Sequence, residues 1–232
     1  TKKDELTSNH LIDMIVDGAR QKGTGKWASQ NAMDLVVPIP LIDAAVASRE
    51  LSGFKEERVA AQEILKGPEN ANLLTKEELI QRMEQALYFS IITAYAQGMA
   101  LLQHASKEYK YNLKLESVAK IWRGGCIIRA ALLESIMNAY EKQPDLANLM
   151  ADDFFANELT NAQLSMRKII QLGAENGIPV PAMMASLSYY DSYRRAWLPA
   201  NLIQAQRDYF GAHTYARTDR EGIFHTHWNQ NQ

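Results

Sequence analysis

The chain has 232 residues, of which 47% are apolar, and it carries a formal net charge of −2. This apolar content is enough for one substantial hydrophobic core, and the near-neutral charge excludes a general basic surface for nucleic acid or an anionic membrane. The N-terminus has no signal-peptide or transit-peptide pattern, and the longest mainly apolar run, residues 124–137, is too short to span a membrane. We therefore expect a globular cytoplasmic protein that binds neither nucleic acid nor membrane.

Apolar residues recur at helical spacing in nearly every segment, whereas the alternation typical of half-buried strands is almost absent. The sequence therefore predicts an all-α fold. The clearest helix begins at Thr75, because Thr75-Lys76-Glu77-Glu78 is a capping box. Two prolines make residues 36–40 a connector rather than a strand. In chain order, we predict helices at residues 9–17, 27–35, 41–51, 54–65, 75–106, 115–123, 126–141, 157–175, 182–195 and 199–209.

The end of the chain differs from the rest. Residues 214–232 lose the helical stripe and contain Gly222, two histidines and few aliphatic residues. Such a segment predicts a tail that must lie on another surface to become ordered. Since no long polar linker occurs earlier, we predict one helical domain over residues 1–213 and a C-terminal tail over residues 214–232.

The first candidate binding segment is Gln21–Trp27, with the sequence QKGTGKW. Its two glycines allow backbone amides to approach an anion, and Lys22, Thr24 and Lys26 add further donors. It is not a nucleotide P-loop, because the first glycine and the final Ser or Thr of that motif are missing. The alternative is a helix C-cap and a turn with solvated lysines. Arg49, near the end of a predicted helix, could bind an anion or interact with that helix's terminal carbonyls.

The second candidate is residues 204–213, which combine polar and aromatic side chains. Arg207 can bind a phosphate through two parallel hydrogen bonds, and His213 can donate or exchange a proton. The alternative interpretation is a surface pair between Arg207 and Asp208 beside an aromatic anchor.

The sequence can also be searched for a metal site and for a dinucleotide-binding site. His225 and His227 form a His-x-His pair, but no carboxylate or cysteine cluster nearby completes a metal site, so we predict no metal. No Gly-x-Gly-x-x-Gly fingerprint follows a predicted strand, so we expect no Rossmann domain within this sequence.

Four stretches together carry a family pattern: residues 21–27, residues 124–129 (GGCIIR), residues 189–193 (YYDSY) and residues 200–215 (ANLIQAQRDYFGAHTY). In this order they resemble the C-terminal, all-helical part of the decarboxylating 6-phosphogluconate dehydrogenases. The resemblance extends over essentially the whole chain.

By this resemblance, the full enzyme oxidises 6-phosphogluconate at C3 with NADP, releases CO2 and forms ribulose 5-phosphate in the pentose phosphate pathway. No metal is implied. The resemblance assigns contacts with the substrate phosphate to Lys22, Thr24 and Arg49. It also assigns them to Arg207 and His213, which a partner subunit supplies, so a homodimer is implied.

The resemblance also implies parts that this sequence does not match, namely the N-terminal NADP-binding Rossmann domain and the catalytic lysine and glutamate. We therefore expect no catalytic residue in the chain and no reaction by the chain unaided. One alternative function is a helical assembly module with a vestigial anion loop. A related 3-hydroxy acid dehydrogenase fits less well, because such enzymes need no phosphate-binding set of Lys22, Arg49 and Arg207.

Overall fold

The structure is a computed structural model that describes residues 2–19, 22–69 and 74–228. Within these ranges the chain is helical, and the only extended pairings are two isolated antiparallel bridges, Lys3 with His10 and Tyr215 with Phe224. The all-α prediction is confirmed. None of the helices in the described ranges is long and apolar enough to cross a membrane.

Most helices lie close to their predicted positions. Two short 3-10 helices, Leu11–Met14 and Leu149–Ala151, accompany them. The α-helices are α1 (Thr24–Asp34), α2 (Pro40–Ser52), α3 (Lys55–Ile64), α4 (Lys76–Glu108), α5 (Leu115–Gly125), α6 (Leu132–Lys142), α7 (Asp153–Glu175), α8 (Pro181–Tyr193) and α9 (Ala200–Gly211).

The helix predicted over residues 9–17 is wrong, since only the 3-10 turn Leu11–Met14 forms there. Its apolar stripe covers no surface among the described residues, and Ile12 and Val16 are 72% and 77% exposed. Short helices in water depend on packing of their apolar face, because nucleation costs more free energy than a few hydrogen bonds return.

The first third of the helix predicted over residues 126–141 is also wrong, because α6 begins only at Leu132. The Ile128 carbonyl accepts a hydrogen bond from the Tyr95 hydroxyl at 2.5 Å, and Ile127 is exposed to solvent. Gly124-Gly125 end α5, and the β-branched Ile127 and Ile128 have a lower helix propensity than alanine, so the contact with Tyr95 is enough to keep this segment out of a helix.

The long helix α4 organises the core. Its N-cap Thr75 accepts a hydrogen bond from the Glu78 N–H at 3.3 Å, as the capping box predicts. With 33 residues it is roughly 50 Å long. It packs mainly against α7, while α5 packs against α6. Large, fully buried side chains fill the space between these helices: Phe89, Ile92, Met99, Leu133, Ile136, Tyr140, Phe155, Leu159 and Met166.

Helices α1 and α2 are attached to α4 through a small cluster of their own, formed by Ala32, Val37 and Ile39. The buried Gln97 of α4 accepts a hydrogen bond from the Leu41 N–H at 3.1 Å, which satisfies one free amide in the first turn of α2. The α1–α2 pair therefore has a defined attachment to the core.

The contacts within the chain divide it into two units, residues 1–190 and residues 191–232. The first unit contains α1 to α7 and most of α8. The second contains α9 and the tail. Among the described residues of the second unit, only Asp208 is fully buried, so its centre is a carboxylate rather than an apolar cluster.

Candidate functional site

The loop before α1 forms a helix N-terminus rather than a C-cap. Gly23 is the N-cap residue, and its φ of 97° is left-handed, a conformation that favours glycine. Among the described residues no side chain caps α1, and its first backbone amides carry the positive end of the helix dipole. Lys22 and Thr24 flank Gly23 and are exposed. Gln21, which belongs to the same sequence motif, lies outside the described residues.

Arg49 lies exposed in the last turn of α2 beside a cavity of about 540 Å3. The Ser52 hydroxyl accepts a hydrogen bond from the Ala19 N–H at 2.9 Å and donates one to the Arg49 carbonyl at 2.6 Å. Lys22 is three residues after Ala19, so its Cα lies within roughly 11 Å of the Ala19 Cα. The cavity is lined by Val16, Gly18, Ala19, Arg49, Glu50, Ser52, Gly53 and Lys55.

The segment leading into this cavity is also held by an ion-pair cluster. The Asp17 carboxylate lies 2.9 Å from the Lys55 ammonium and accepts two hydrogen bonds from the Arg58 guanidinium at 3.1 Å. Lys55 and then Arg58 lower the pKa of Asp17 below its ordinary value. The carboxylate thus stays ionised at neutral pH and keeps residues 16–19 against the start of α3.

In the second unit, Arg207 and His213 are both exposed. The Arg207 Nη1 donates to Gln204 Oε1 at 3.0 Å, one turn earlier in α9. His213 follows Ala212, the C-cap residue of α9, whose φ is 49°. The alternative of a surface pair between Arg207 and Asp208 is wrong, because Asp208 is only 1% exposed and bonds to the tail.

The Asp208 carboxylate is the centre of the second unit. Its Oδ1 accepts hydrogen bonds from the Thr214 N–H and His225 Nδ1, both at 2.9 Å. Its Oδ2 accepts from the Thr226 N–H at 3.1 Å and from the Trp228 indole at 2.9 Å. Burial raises the pKa of Asp208, but these hydrogen bonds outweigh it and hold the pKa far below the ordinary value. Sequence reasoning missed this residue, because its partners lie 6 to 20 positions away.

The two histidines of the tail are placed by the same network. His225 bonds to Asp208, and its ring lies edge-on to that of His227 at 4.9 Å between centroids. In the portion of the chain that the structure covers, no three His, Cys, Asp or Glu side chains come together in a way that could hold a metal ion.

Acid is expected to loosen the tail through Asp208. The folded pKa lies below the value of about 3.9 for an unfolded aspartate, so the stabilisation is complete above that value and is lost as pH falls towards the folded pKa. The Trp228 indole resonance, followed by NMR, should begin to move towards its free position below about pH 4 and should continue to move as pH falls towards the folded pKa. Asp208→Asn should show the free position already at neutral pH.

The control for this titration is Asp219, whose pKa is lowered to about 2 mainly by a hydrogen bond from Arg217. Asp219 is an exposed member of the same tail, so Asp219→Asn should leave the Trp228 resonance unchanged. A Trp228 indole that keeps its folded position in Asp208→Asn at neutral pH would contradict the prediction.

The comparisons with known proteins bear directly on this arrangement. The family model for the 6-phosphogluconate dehydrogenase C-terminal domain matches residues 1–228. The chain belongs to this family. It is 55% identical over 229 residues to the NADP(+)-dependent, decarboxylating 6-phosphogluconate dehydrogenase of Bacillus subtilis (strain 168), covering 98% of this chain and 49% of the relative. It is 50% identical over 228 residues to the decarboxylating enzyme of Escherichia coli (strain K12), covering 98% and 48%.

A solved 6-phosphogluconate dehydrogenase, from Plasmodium falciparum, has the same fold. It superposes with a TM-score of 0.91 at 44% identity, over 98% of this chain and 49% of that chain. That enzyme was solved in its apo form, with its cofactor NADP+ and with its substrate 6-phosphogluconate. Family and fold are therefore confirmed, and the chain spans about half the length of the 6-phosphogluconate dehydrogenases that it matches. The assignment of Lys22, Thr24, Arg49, Arg207 and His213 to the substrate phosphate stays a prediction.

Proposed function

We propose that this chain is the part of a decarboxylating 6-phosphogluconate dehydrogenase that holds the phosphate of 6-phosphogluconate and joins two subunits. The observation that carries the proposal is a hydrogen bond in the first unit, which the Ala19 N–H donates to the Ser52 hydroxyl at the end of α2. The uncapped N-terminus of α1, with Lys22 and Thr24, follows a segment hydrogen-bonded to the end of α2 that bears Arg49. A phosphate dianion needs several charge-assisted hydrogen bonds, each worth roughly 1.5–3 kcal/mol, and this arrangement offers backbone and side-chain donors together.

The second half of the phosphate site comes, in this proposal, from a partner subunit. Residues 1–213 form the substrate-binding and dimerisation domain, and residues 214–232 form a tail that reaches the partner. Arg207 and His213 of one subunit then complete the phosphate site of the other. Their exposure in the single chain is what such an arrangement requires.

The surface of α4 supports association of two subunits. Ile80, Met83, Leu87 and Ile91 recur at helical spacing along one face of α4, and each is at least 36% exposed. An apolar stripe of this kind normally packs against another element, because its exposure to water is unfavourable. A second copy of the chain is the partner that we propose for this face.

NADP is, in this proposal, bound by another part of the enzyme. The described residues contain no strand that leads through a glycine-rich turn into a helix, so they do not fit the pyrophosphate of a dinucleotide. We therefore assign no residue of this chain to the cofactor and none to catalysis. The chain alone should produce no NADPH from NADP and 6-phosphogluconate, as followed by absorbance.

The proposal is tested by titrating the purified chain with 6-phosphogluconate in a calorimeter, with its oligomeric state measured by sedimentation. Gluconate and inorganic phosphate serve as matched ligands that lack the phosphate and the sugar acid, respectively. A dimer that binds 6-phosphogluconate, and not gluconate, would support a phosphate site. A well-folded dimer that binds neither 6-phosphogluconate nor gluconate would contradict the proposed phosphate site and would favour a helical assembly module.

A further inference from the structure

The peptide group of Thr214 is held on both sides by helix α9. Its N–H donates to Asp208 Oδ1 at 2.9 Å, and its carbonyl accepts from Gln204 Nε2 at 2.5 Å. The other end of the same Gln204 amide accepts from Arg207 Nη1 at 3.0 Å. The Gln204 side chain therefore connects the Arg207 guanidinium to the residue that follows His213, and Asp208 holds that same residue through its N–H.

The backbone on either side of His213 is conformationally demanding. Ala212 has a φ of 49° and Thr214 a φ of 63°, a left-handed conformation that residues with a Cβ seldom adopt. Such conformations persist where the surroundings determine them. A Cβ on Gly211 would lie only 3.0 Å from two atoms of the His213 ring, so the imidazole packs directly against this glycine.

The Asp208 carboxylate has no capacity left for a ligand. Each of its oxygens already accepts two hydrogen bonds, and the side chain is buried. Besides the Thr214 N–H, three groups donate hydrogen bonds to Asp208, and they belong to the tail residues His225, Thr226 and Trp228. Asp208 thus fastens the turn at residue 214 and the tail to α9 at one point, and it can influence a phosphate only through its neighbours.

We propose that Asp208, together with Gln204, is a positioning residue that fixes His213 relative to Arg207, so that both side chains can reach one phosphate group. This inference rests on the proposed function of Arg207 and His213. Without the two contacts to Thr214, the turn is free to leave its left-handed conformation, and His213 then moves away from Arg207.

A double-mutant cycle on the purified chain tests this role, with 6-phosphogluconate as the ligand and NMR of the His213 ring as the readout. Asp208→Asn keeps the size of the side chain, but its amide group turns N–H donors towards other N–H donors. We expect it to weaken binding roughly tenfold, as the loss of one charge-assisted hydrogen bond would. In the His213→Ala background the same substitution should change binding by less than about twofold, because its effect passes through His213.

Two further variants make the result decisive. Asp219→Asn removes an exposed carboxylate from the same tail and should leave binding unchanged. Gln204→Leu removes the contact to the Thr214 carbonyl, and with it the contact to Arg207, without touching the tail donors. It should weaken binding even if Asp208→Asn does not fold.

Each outcome separates the inference from the proposed function. Equal losses from Asp208→Asn with and without His213 would overturn positioning and leave only a structural role for the carboxylate. Binding unaffected by both Asp208→Asn and Gln204→Leu would overturn it as well, while the proposed function would stand. An unaltered chain that does not bind 6-phosphogluconate would overturn both.

Discussion

Arg207→Ala is expected to raise the dissociation constant for 6-phosphogluconate roughly tenfold to a hundredfold, since a charge-assisted hydrogen bond is worth roughly 1.5–3 kcal/mol. Arg207 is exposed, and its guanidinium donates to the neutral amide of Gln204, with no carboxylate partner among the described residues. A planar guanidinium in this state can form two parallel hydrogen bonds with phosphate oxygens. Calorimetric or NMR titration of the purified chain measures the change.

Arg220 is the matched control for Arg207. It belongs to the same unit, is equally a surface arginine, and bonds to Asp219 at 3.2 Å. Arg220→Ala removes the same positive charge. It should change the dissociation constant less than about twofold, because Arg220 is paired with Asp219 and because physiological salt screens exposed charges beyond a Debye length of about 8 Å. Similar losses in the two variants would mean that Arg207 acts through general charge and not through direct contact with the phosphate.

Phe89→Ala is expected to lower the free energy of unfolding by about 3–5 kcal/mol, which is the usual cost of truncating a buried phenylalanine. The Phe89 side chain is completely buried in the middle of α4, and its ring meets the Tyr190 ring edge-on at 5.1 Å between centroids. Urea denaturation followed by circular dichroism measures the loss. Since small domains are stable by about 5–15 kcal/mol, the variant should be near the limit of folding.

Leu164→Ala provides the comparison on the surface. Leu164 lies on α7 and is 72% exposed, so its truncation should change the free energy of unfolding by less than about 0.5 kcal/mol. If both variants lost the same free energy, Phe89 would not occupy the dry, close-packed position that the structure describes.

The helical fold could be predicted because the period of apolar residues is a local property. The start of α4 is an example, since Thr75 and Glu78 are only three residues apart and cap the helix by themselves. The prediction failed at residues 9–17 and 126–131, where packing decides the outcome. The first segment has an apolar stripe that covers no surface in the described part of the chain, and the second is held by Tyr95, 33 residues before Ile128.

For the candidate site, too, the sequence indicates the local motifs but not the long-range contacts. The glycines and lysines of residues 22–26 indicate an anion loop, but only the left-handed Gly23 shows that the loop begins a helix instead of ending one. Asp208 is the clearest example of a residue whose role could not be predicted from the sequence. Its neighbour Arg207 suggested a surface ion pair, whereas the true partners are two backbone amides, an imidazole and an indole.

The burial of a single carboxylate at the centre of residues 191–228 gives this unit a different response to solvent from that of the helical unit. Association of apolar side chains, as between α4 and α7, releases water with a large change in heat capacity and weakens in urea. Hydrogen bonds to one ionised group contribute little to heat capacity, and protonation of that group removes them. The heat-capacity change measured by calorimetry should therefore come mainly from unfolding of the helical unit, whereas an acid titration should detect release of the tail. The two units of one chain are thus destabilised by different changes in the solvent.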